Sequence, residues 1–428
     1  MQTYTLTKSL TPKKRYDVIV SGGGVAGCAA AYSAAKRGKS VLLLEKANIL
    51  GGLATTGLVN LFVPMCNGRG KQIIFGLAET WLRASAEYGY DSIRPEWRNG
   101  EPSEPTEKRY TQRYSPYIFA YQLTEAMVQA GVDLLFDCAA VEPVMEGKTC
   151  RGVIAYTKAG LEMYECRVLI DTTGDADLLR HAGAPIRVGD NFFSYFVKMV
   201  TLDGCRKALE SGNIAKLYSS ASGGGINLFG DGQPSDVPRW SGLTPEEVTD
   251  YLVRNQLILL DKMKATAHER KERDIAMIPM MPQFRTTACL VGDAALTVDD
   301  AYRHYDDSIC AINDFEHRDH LFEVRYGTIC RSDLPNILTA GRSASAKGYG
   351  WDLLRVIPPA ILTGQAAGEA AALAIEQGVE VARVPIRVLQ DRLEAANVMI
   401  HFPDAYLPED RTVVIHGKNA AEIEGGHN

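Results

Sequence analysis

The 428-residue chain contains no CxxC or CxxxC pair, and its nine cysteines are so dispersed that the closest two are Cys138 and Cys150. That spacing excludes a ferredoxin-type cluster motif and a thioredoxin-type dithiol, and an odd number of scattered cysteines does not describe a secreted disulfide framework. The sequence therefore predicts buried, reduced thiols. No apolar run approaches the roughly 18 residues needed to span a bilayer. The first sixteen residues are polar, with Lys8, Lys13, Lys14 and Arg15 but no hydrophobic core behind them, which points to a cytoplasmic protein. Like charges never form a block of five, and the net charge is −6. A nucleic-acid or membrane partner is not expected on electrostatic grounds. No residue spacing marks a metal site.

With 46% hydrophobic and 23% charged residues, the composition is that of a globular protein of two or three domains. Tyr16–Ser21 is short, β-branched and apolar, and it runs directly into Gly22-Gly-Gly-Val-Ala-Gly27 and an Ala-rich stretch ending at Arg37. This pattern reads as strand, tight turn and helix. Gly38 stops the helix, and Ser40–Glu45 supplies a second buried strand that ends in an acid. Further along, the pattern predicts helices over Leu77–Tyr88 and Tyr117–Ala130, with a polar, exposed connection over Ser92–Pro116 between them. A strand follows at Val132–Phe136, and a β-meander runs from Ala139 to Ile170. Pro185 to Arg325 breaks the alternation. It holds a Gly-rich loop, Ser222–Gly232, and a capping box at Thr244–Glu247 that opens a long helix to about Lys271. Asn336–Gly341 reads as a final buried strand, and Pro358–Gln377 as an Ala-rich helix stopped by Gly378.

Gly22, Gly24 and Gly27 follow a strand, precede a helix and are answered by Glu45 at the end of the next strand, the context that turns a bare glycine pattern into a dinucleotide-binding signature. Gly22 makes the turn, Gly24 lets the backbone approach a pyrophosphate, and Gly27 permits close packing of helix on strand. Glu45 is placed to hold ribose hydroxyls. Gly51–Thr55, Ile170–Asp175, Asn336–Arg342 and Gly364–Ala371 then follow in order.

On these segments the chain resembles the glutathione-reductase-type FAD superfamily, and within it the FAD-dependent oxidoreductase family that includes the flavin domain of heterodisulfide reductase. The resemblance implies an α/β fold: a Rossmann-like FAD-binding domain with a parallel sheet and β-meander, interleaved with an α+β substrate lobe. Residues 1–75, 131–184 and 326–384 would form the discontinuous FAD domain, 76–130 and 185–325 the substrate or cap lobe, and 385–428 a C-terminal tail. It implies that Gly22, Gly24, Val25, Ala26, Glu45 and Lys46 hold the AMP half, with Gly27 at the turn. Gly52, Leu53, Ala54 and Thr55 line the pyrophosphate and flavin, and Ala140 and Val141 meet adenine. Thr173, Gly174 and Asp175 sit beside the cofactor, and Gly341 and Arg342 contact its ribityl and phosphate region.

The catalytic expectation rests on fewer residues. Arg285 is the leading clamp for a substrate anion, because a guanidinium binds a carboxylate through two parallel bonds. His317 is the acid/base candidate, Tyr349 in the loop Lys347–Asp352 is placed to face the flavin ring, and Arg355 precedes a proline-started helix whose N-terminus favours negative charge. The implied function is a soluble FAD-dependent oxidoreductase passing hydride or electrons between a small polar or anionic substrate and the flavin, with a second, unidentified electron acceptor or donor. Two other readings stand beside it. The glycine motif is also similar to that of tRNA uridine-modifying flavoproteins, against which the acidic charge and absent basic stripe argue. A flavin-binding subunit or sensor without turnover fits the same motifs.

Overall fold

The computed structural model describes residues 4, 7–225, 230, 232–415 and 418–419. Strand β1 (Pro12–Ser21) is buried from Val18 to Ser21 and lies between parallel neighbours, which explains its unbroken apolar run. Helix α1 (Val25–Lys36) crosses over to β2 (Val41–Leu44), and helices α2 (Gly76–Glu87) and α3 (Pro116–Gln129) lead to β3 (Asp133–Leu135). The meander is β4 (Ala139–Glu146), β5 (Thr149–Thr157) and β6 (Gly160–Asp171). Together with β1 to β3 these strands make one sheet in the order β3-β2-β1-β6-β5-β4, and a last strand, Ile337–Thr339, joins the C-terminal half of β6 in parallel. The first half of β6 pairs antiparallel with β5 and the second half parallel with β1. One long strand thus serves both the meander and the parallel sheet.

The second lobe is a small antiparallel sheet. Its strands are β7 (Ser194–Thr201), β8 (Tyr218–Gly225) and β9 (Arg273–Met277), with β7 in the middle and helix α4 (Pro245–Ala265) packed on β8. Thr244 caps α4 by accepting from the Glu247 amide at 3.2 Å, as the capping-box spacing predicts. The helix ends at Ala265, short of the expected Lys271, because Thr266–Glu269 turns the chain back toward β9. Part of the expected Gly-rich loop is strand instead, since Ser222 to Gly225 belong to β8, while 226–229 and 231 lie outside the described residues. This lobe has its own core of Phe193, Tyr195, Trp240, Tyr251, Leu259 and Phe284.

The chain returns through a hairpin, β10 (Ser308–Asn313) and β11 (Leu321–Arg325), then β12 (Ile337–Thr339). Helices α5 (Gly348–Arg355), α6 (Ile357–Gln377) and α7 (Ile386–Ala395) complete the fold. Helix α7, within the segment expected as a tail, packs on α6. Helix α6 is buried on every side through Ala374 and crosses α1 at minimal separation. A Cβ on Gly364 would fall 2.1 Å from the Ala26 carbonyl oxygen, and one on Gly368 2.2 Å from that of Ala30. Small residues at both positions set the distance between the two helices.

The expected exposed connection over Ser92–Pro116 is the clearest departure. Trp97, Tyr110 and Tyr114 are all fully buried. Trp97 stacks on Tyr110 with centroids 5.0 Å apart, and its indole N–H donates to the Lys108 carbonyl at 2.8 Å. The polar and proline content of the segment belongs to its backbone turns, whereas its aromatics share the core of α1, α2, α3 and α6. Trp97→Ala should therefore destabilise the protein by roughly 3–5 kcal/mol, the range for deleting a large buried aromatic. Urea unfolding followed by circular dichroism checks this, and a change within about 0.5 kcal/mol, as at a surface site, contradicts it.

Candidate active site

Helix α1 begins where the sheet opens. Gly22 has φ +101° and sits against the Thr172 carbonyl, so a side chain is excluded both by conformation and by space. At Gly27 a Cβ would lie 1.9 Å from the Gly22 carbonyl oxygen, which is how helix and strand come close enough to make the turn. Gly24 is different: nothing stands within 4 Å of where its Cβ would be, and that open space belongs to a cavity of about 500 Å³.

Two helices point their N-termini at this cavity. Gly24, Val25 and Ala26 from the start of α1 line it, as do Ile357 and Ala360 from the start of α6. Neither start has a side-chain cap or an acidic residue in its first turn. The leading amides of α1 and the partial positive charge of both helix starts are directed into the cavity, a setting that favours anions. Proline residues in the first turn of α6 cost nothing there, since their missing N–H groups would have had no helical partner.

Another part of the wall is built by Glu45, which is 7% exposed. Its Oε2 accepts from the Gly23 amide at 2.7 Å and its Oε1 from the Ala47 amide at 2.7 Å. Burial pushes the carboxyl above its ordinary range, and those two amides pull the other way. Lys46, Ala140, Gly52, Leu53, Ala54, Thr173 and Gly174 also line the cavity, with Gly341 and Arg342 farther along. Arg342 is held there by a 3.0 Å contact to Asp175 and by donating to the Phe284 carbonyl at 2.9 Å.

Four expected cofactor residues support the wall from behind. Gly27 packs on Gly22, Thr55 donates to the Leu50 carbonyl at 2.6 Å, Asp175 holds Arg342, and Val141 is partly exposed with its carbonyl beside His181 Nδ1 at 3.1 Å. The sequence reading also missed parts of the wall. Asp177 lines it, and Met280 and Met281 reach over it from the second lobe, fixed by the Met280 amide donating to the Thr56 carbonyl at 2.8 Å. Their only sequence signal is a methionine pair bracketed by Pro279 and Pro282.

Arg355 lines the cavity as well, its Nε donating to Asp352 at 2.7 Å. Arg285, His317 and Tyr349 are not in the wall but gather near its Arg355 side. Tyr349 and Arg355 occupy the two ends of α5, about 9 Å apart along its axis. Arg285 donates from Nη2 to Ser194 at 2.9 Å. Burial pushes its guanidinium down to about 10, and the nearby charge of Arg355 acts in the same direction.

The organising residue of this group, Asp314, escaped the sequence reading, although its spacing to His317 and His320 is a visible D-x-x-H-x-x-H. It stands just after β10 and is fully buried. Its Oδ1 accepts from the Tyr349 hydroxyl at 2.8 Å and from the Glu316 and His317 amides at 2.8 and 3.0 Å. Its Oδ2 lies 3.2 Å from Nδ1 of both His317 and His320. Burial alone would raise this carboxyl, yet the two histidine bonds hold it well below the usual carboxylate range. The same bond raises the pKa of His317 against the effect of burial.

The family model for FAD dependent oxidoreductases matches residues 17–202 and 233–393. The chain belongs to that family. FAD is its cofactor, and the cavity with two uncapped helix starts and a ribose-ready acid fits it. This oxidoreductase is 24% identical over 311 residues to digeranylgeranylglycerophospholipid reductase of Methanoculleus marisnigri, a match covering 69% of this chain and 72% of that one. It is 55% identical over 42 residues to 4-oxocyclohexanecarboxylate 2-dehydrogenase of Sinomonas cyclohexanicum, covering 10% of this chain and 7% of that one. Among solved structures, a geranylgeranyl bacteriochlorophyll reductase-like protein from Thermoplasma acidophilum aligns with a TM-score of 0.41 at 14% identity, over 92% of this chain and 94% of that one. Among the described residues no helix is long and apolar enough to cross a membrane.

Replacing Glu45 with Gln keeps its shape but turns an amide N–H toward one of the two backbone donors. Loss of a charged hydrogen bond of this kind costs about 1.5–3 kcal/mol, so FAD affinity should fall roughly ten- to hundredfold. Flavin content after gel filtration, read by visible absorbance, checks it, and full FAD retention contradicts it.

Proposed function

We propose that this oxidoreductase acts on a small polar or anionic substrate whose negative group is held by Arg285 and Arg355 and whose proton is handled by the Asp314–His317 pair. The observation that carries this reading is the position of one deeply buried carboxylate, Asp314, between two imidazoles and the Tyr349 hydroxyl, near Arg285 and near Arg355, which lines the cofactor cavity. FAD, when bound, supplies the two-electron chemistry, and this chain supplies binding, orientation and proton transfer.

Asp314 holds Nδ1 of His317 and so directs proton exchange to Nε2, the nitrogen it does not grip. Tyr349 keeps the carboxylate oriented from its other oxygen. Arg355 disfavours the charge of the buried Arg285 guanidinium, and an anion between them relieves that repulsion while its two oxygens match a guanidinium fork. The names of the two relatives contain a glycerophospholipid and a carboxylate, both anionic near neutral pH. Gly22, Gly24, Val25, Ala26 and Glu45 would hold the adenosine diphosphate half, with Lys46, Ala140 and Asp177 nearby, and Gly341, Arg342, Arg355 and the α6 start would hold the flavin half. Met280 and Met281 would contribute an apolar edge beside the cofactor.

A base must be neutral to accept a proton, so substrate-driven flavin reduction should rise with pH through the elevated pKa of His317. Asp314→Asn removes the bond that raises it, and the midpoint of the rise should move to lower pH. Stopped-flow reduction across pH 5–9 measures this, and a midpoint unmoved in Asp314→Asn contradicts the role. In the same assay Arg285→Lys keeps the charge but loses the fork. It should weaken reduction by roughly 1.5–3 kcal/mol with FAD content unchanged.

A further inference from the structure

Away from the cofactor cavity, the chain beyond α7 folds back over the β10–β11 hairpin. The Ala311 amide donates to the Met399 carbonyl at 2.6 Å and Ser308 donates to the Ile400 carbonyl at 2.7 Å, which fixes His401 beside the hairpin. Under it lies Glu323 of β11, fully buried. Its Oε2 accepts from the Tyr305 amide at 2.7 Å. Its Oε1 faces two imidazole nitrogens, His304 Nδ1 at 2.6 Å and His401 Nδ1 at 3.0 Å. The other nitrogen of His304, Nε2, is 2.9 Å from Asp404 Oδ1.

Two imidazole nitrogens and one carboxylate oxygen, all within 4.8 Å of one another, converge on the same point. A cation bound there takes the place of the protons that the two rings otherwise share with Glu323, and Asp404 accepts from the His304 Nε2–H in either case. Two ligand atoms on a tetrahedral zinc, each about 2.0–2.1 Å from the metal, stand about 3.3 Å apart. The His401–Glu323 separation is about 0.3 Å short of that and the His304–Glu323 separation about 0.7 Å short, changes that rotation of the two exposed imidazoles supplies. Two imidazoles and a carboxylate are a donor set for divalent transition ions, and a carboxylate on the far nitrogen of a ligating histidine is the usual second partner that orients it. The charges agree, since Glu323 contributes one negative charge and Asp404 a second on the far nitrogen of His304. Among the described residues no lysine or arginine forms an ion pair with Glu323.

The cluster of Asp314, His317 and His320 has the same residue types but a different setting. Arg109 donates to the Asp314 carbonyl at 2.8 Å and brings its positive charge to that cluster. Three donors already occupy Asp314 Oδ1. A dication belongs at Glu323 instead.

We propose that His304, Glu323 and His401 bind one divalent transition-metal ion of the zinc or iron(II) class, with Asp404 positioning His304. The ion fastens residues 397–406 to the hairpin and leaves a coordination position open to water. Spacing alone gives no sign of the site, because its ligands are 19 and 78 residues apart in sequence.

The test uses the FAD-loaded protein, dialysed against EDTA and titrated with ZnCl2 by calorimetry and with CoCl2 by visible spectroscopy. One ion per chain is expected, with cobalt bands of a four- or five-coordinate site and a higher melting temperature in zinc. His401→Ala should lower zinc affinity at least tenfold and abolish the thermal shift, and Asp404→Asn should lower affinity about tenfold. Both side chains are well exposed, at 39% and 84%, so these variants keep the fold even if one at the buried Glu323 does not. His320→Asn should bind zinc as the parent does. The proposal is overturned if zinc binds with equal affinity in His401→Ala, if His320→Asn loses binding that His401→Ala retains, or if no stoichiometric binding is seen.

Discussion

The structure depends on how closely two helices are allowed to approach. Gly364 and Gly368 of α6 lie against the carbonyls of Ala26 and Ala30 of α1, and neither position has room for a Cβ. The contact holds the start of α1 and the start of α6 on one cavity, and it is made where both helices are fully buried. Unpaired amides at a buried helix end are costly unless something accepts from them. Here the leading amides of α1 and the partial positive charge of the α6 start, where prolines leave only the Ile357 amide, are aimed at a space bounded by glycines, so an apolar packing constraint shapes a cleft suited to an anion.

Charge is arranged on the same principle around the second half of the site. The buried carboxylate of Asp314 is stabilised by two imidazoles, a phenol and two backbone amides, while Arg285 and Arg355 sit close enough to oppose each other. Tyr349 of the first group and Arg355 of the second both sit on α5, which brings a carboxylate rich in donors beside arginines at the edge of the cavity, the pattern expected where a proton and an anion are to be handled together. Met280 and Met281 reach the cavity wall because the chain leaving β9 turns back to Thr56, whose carbonyl accepts from the Met280 amide.

Most of the cofactor side was legible in the sequence because it is made of backbone. Glycine positions, a strand ending in Glu45 and the order of the later glycine segments report the turn directly, and fourteen of the eighteen residues expected there line the cavity. The other four, Gly27, Thr55, Val141 and Asp175, act behind or beside the wall, where a local pattern cannot separate lining from support. The catalytic side was less legible. Asp314 was passed over because its role depends on Tyr349, thirty-five residues away on another element. The segment from Ser92 to Pro116 looked exposed because polarity was averaged along it, whereas Trp97, Tyr110 and Tyr114 turn inward one at a time.

A crystal structure of the FAD complex tests the central claim most directly, because it measures where each part of the cofactor lies. The diphosphate is expected at the Gly22–Gly27 turn against the start of α1, the adenosine beside Glu45 and Ala140, and the isoalloxazine against the start of α6 and Arg355, facing the Asp314–His317 pair. A cofactor bound in the reverse sense, or with its ring remote from α6 and Arg355, would contradict it.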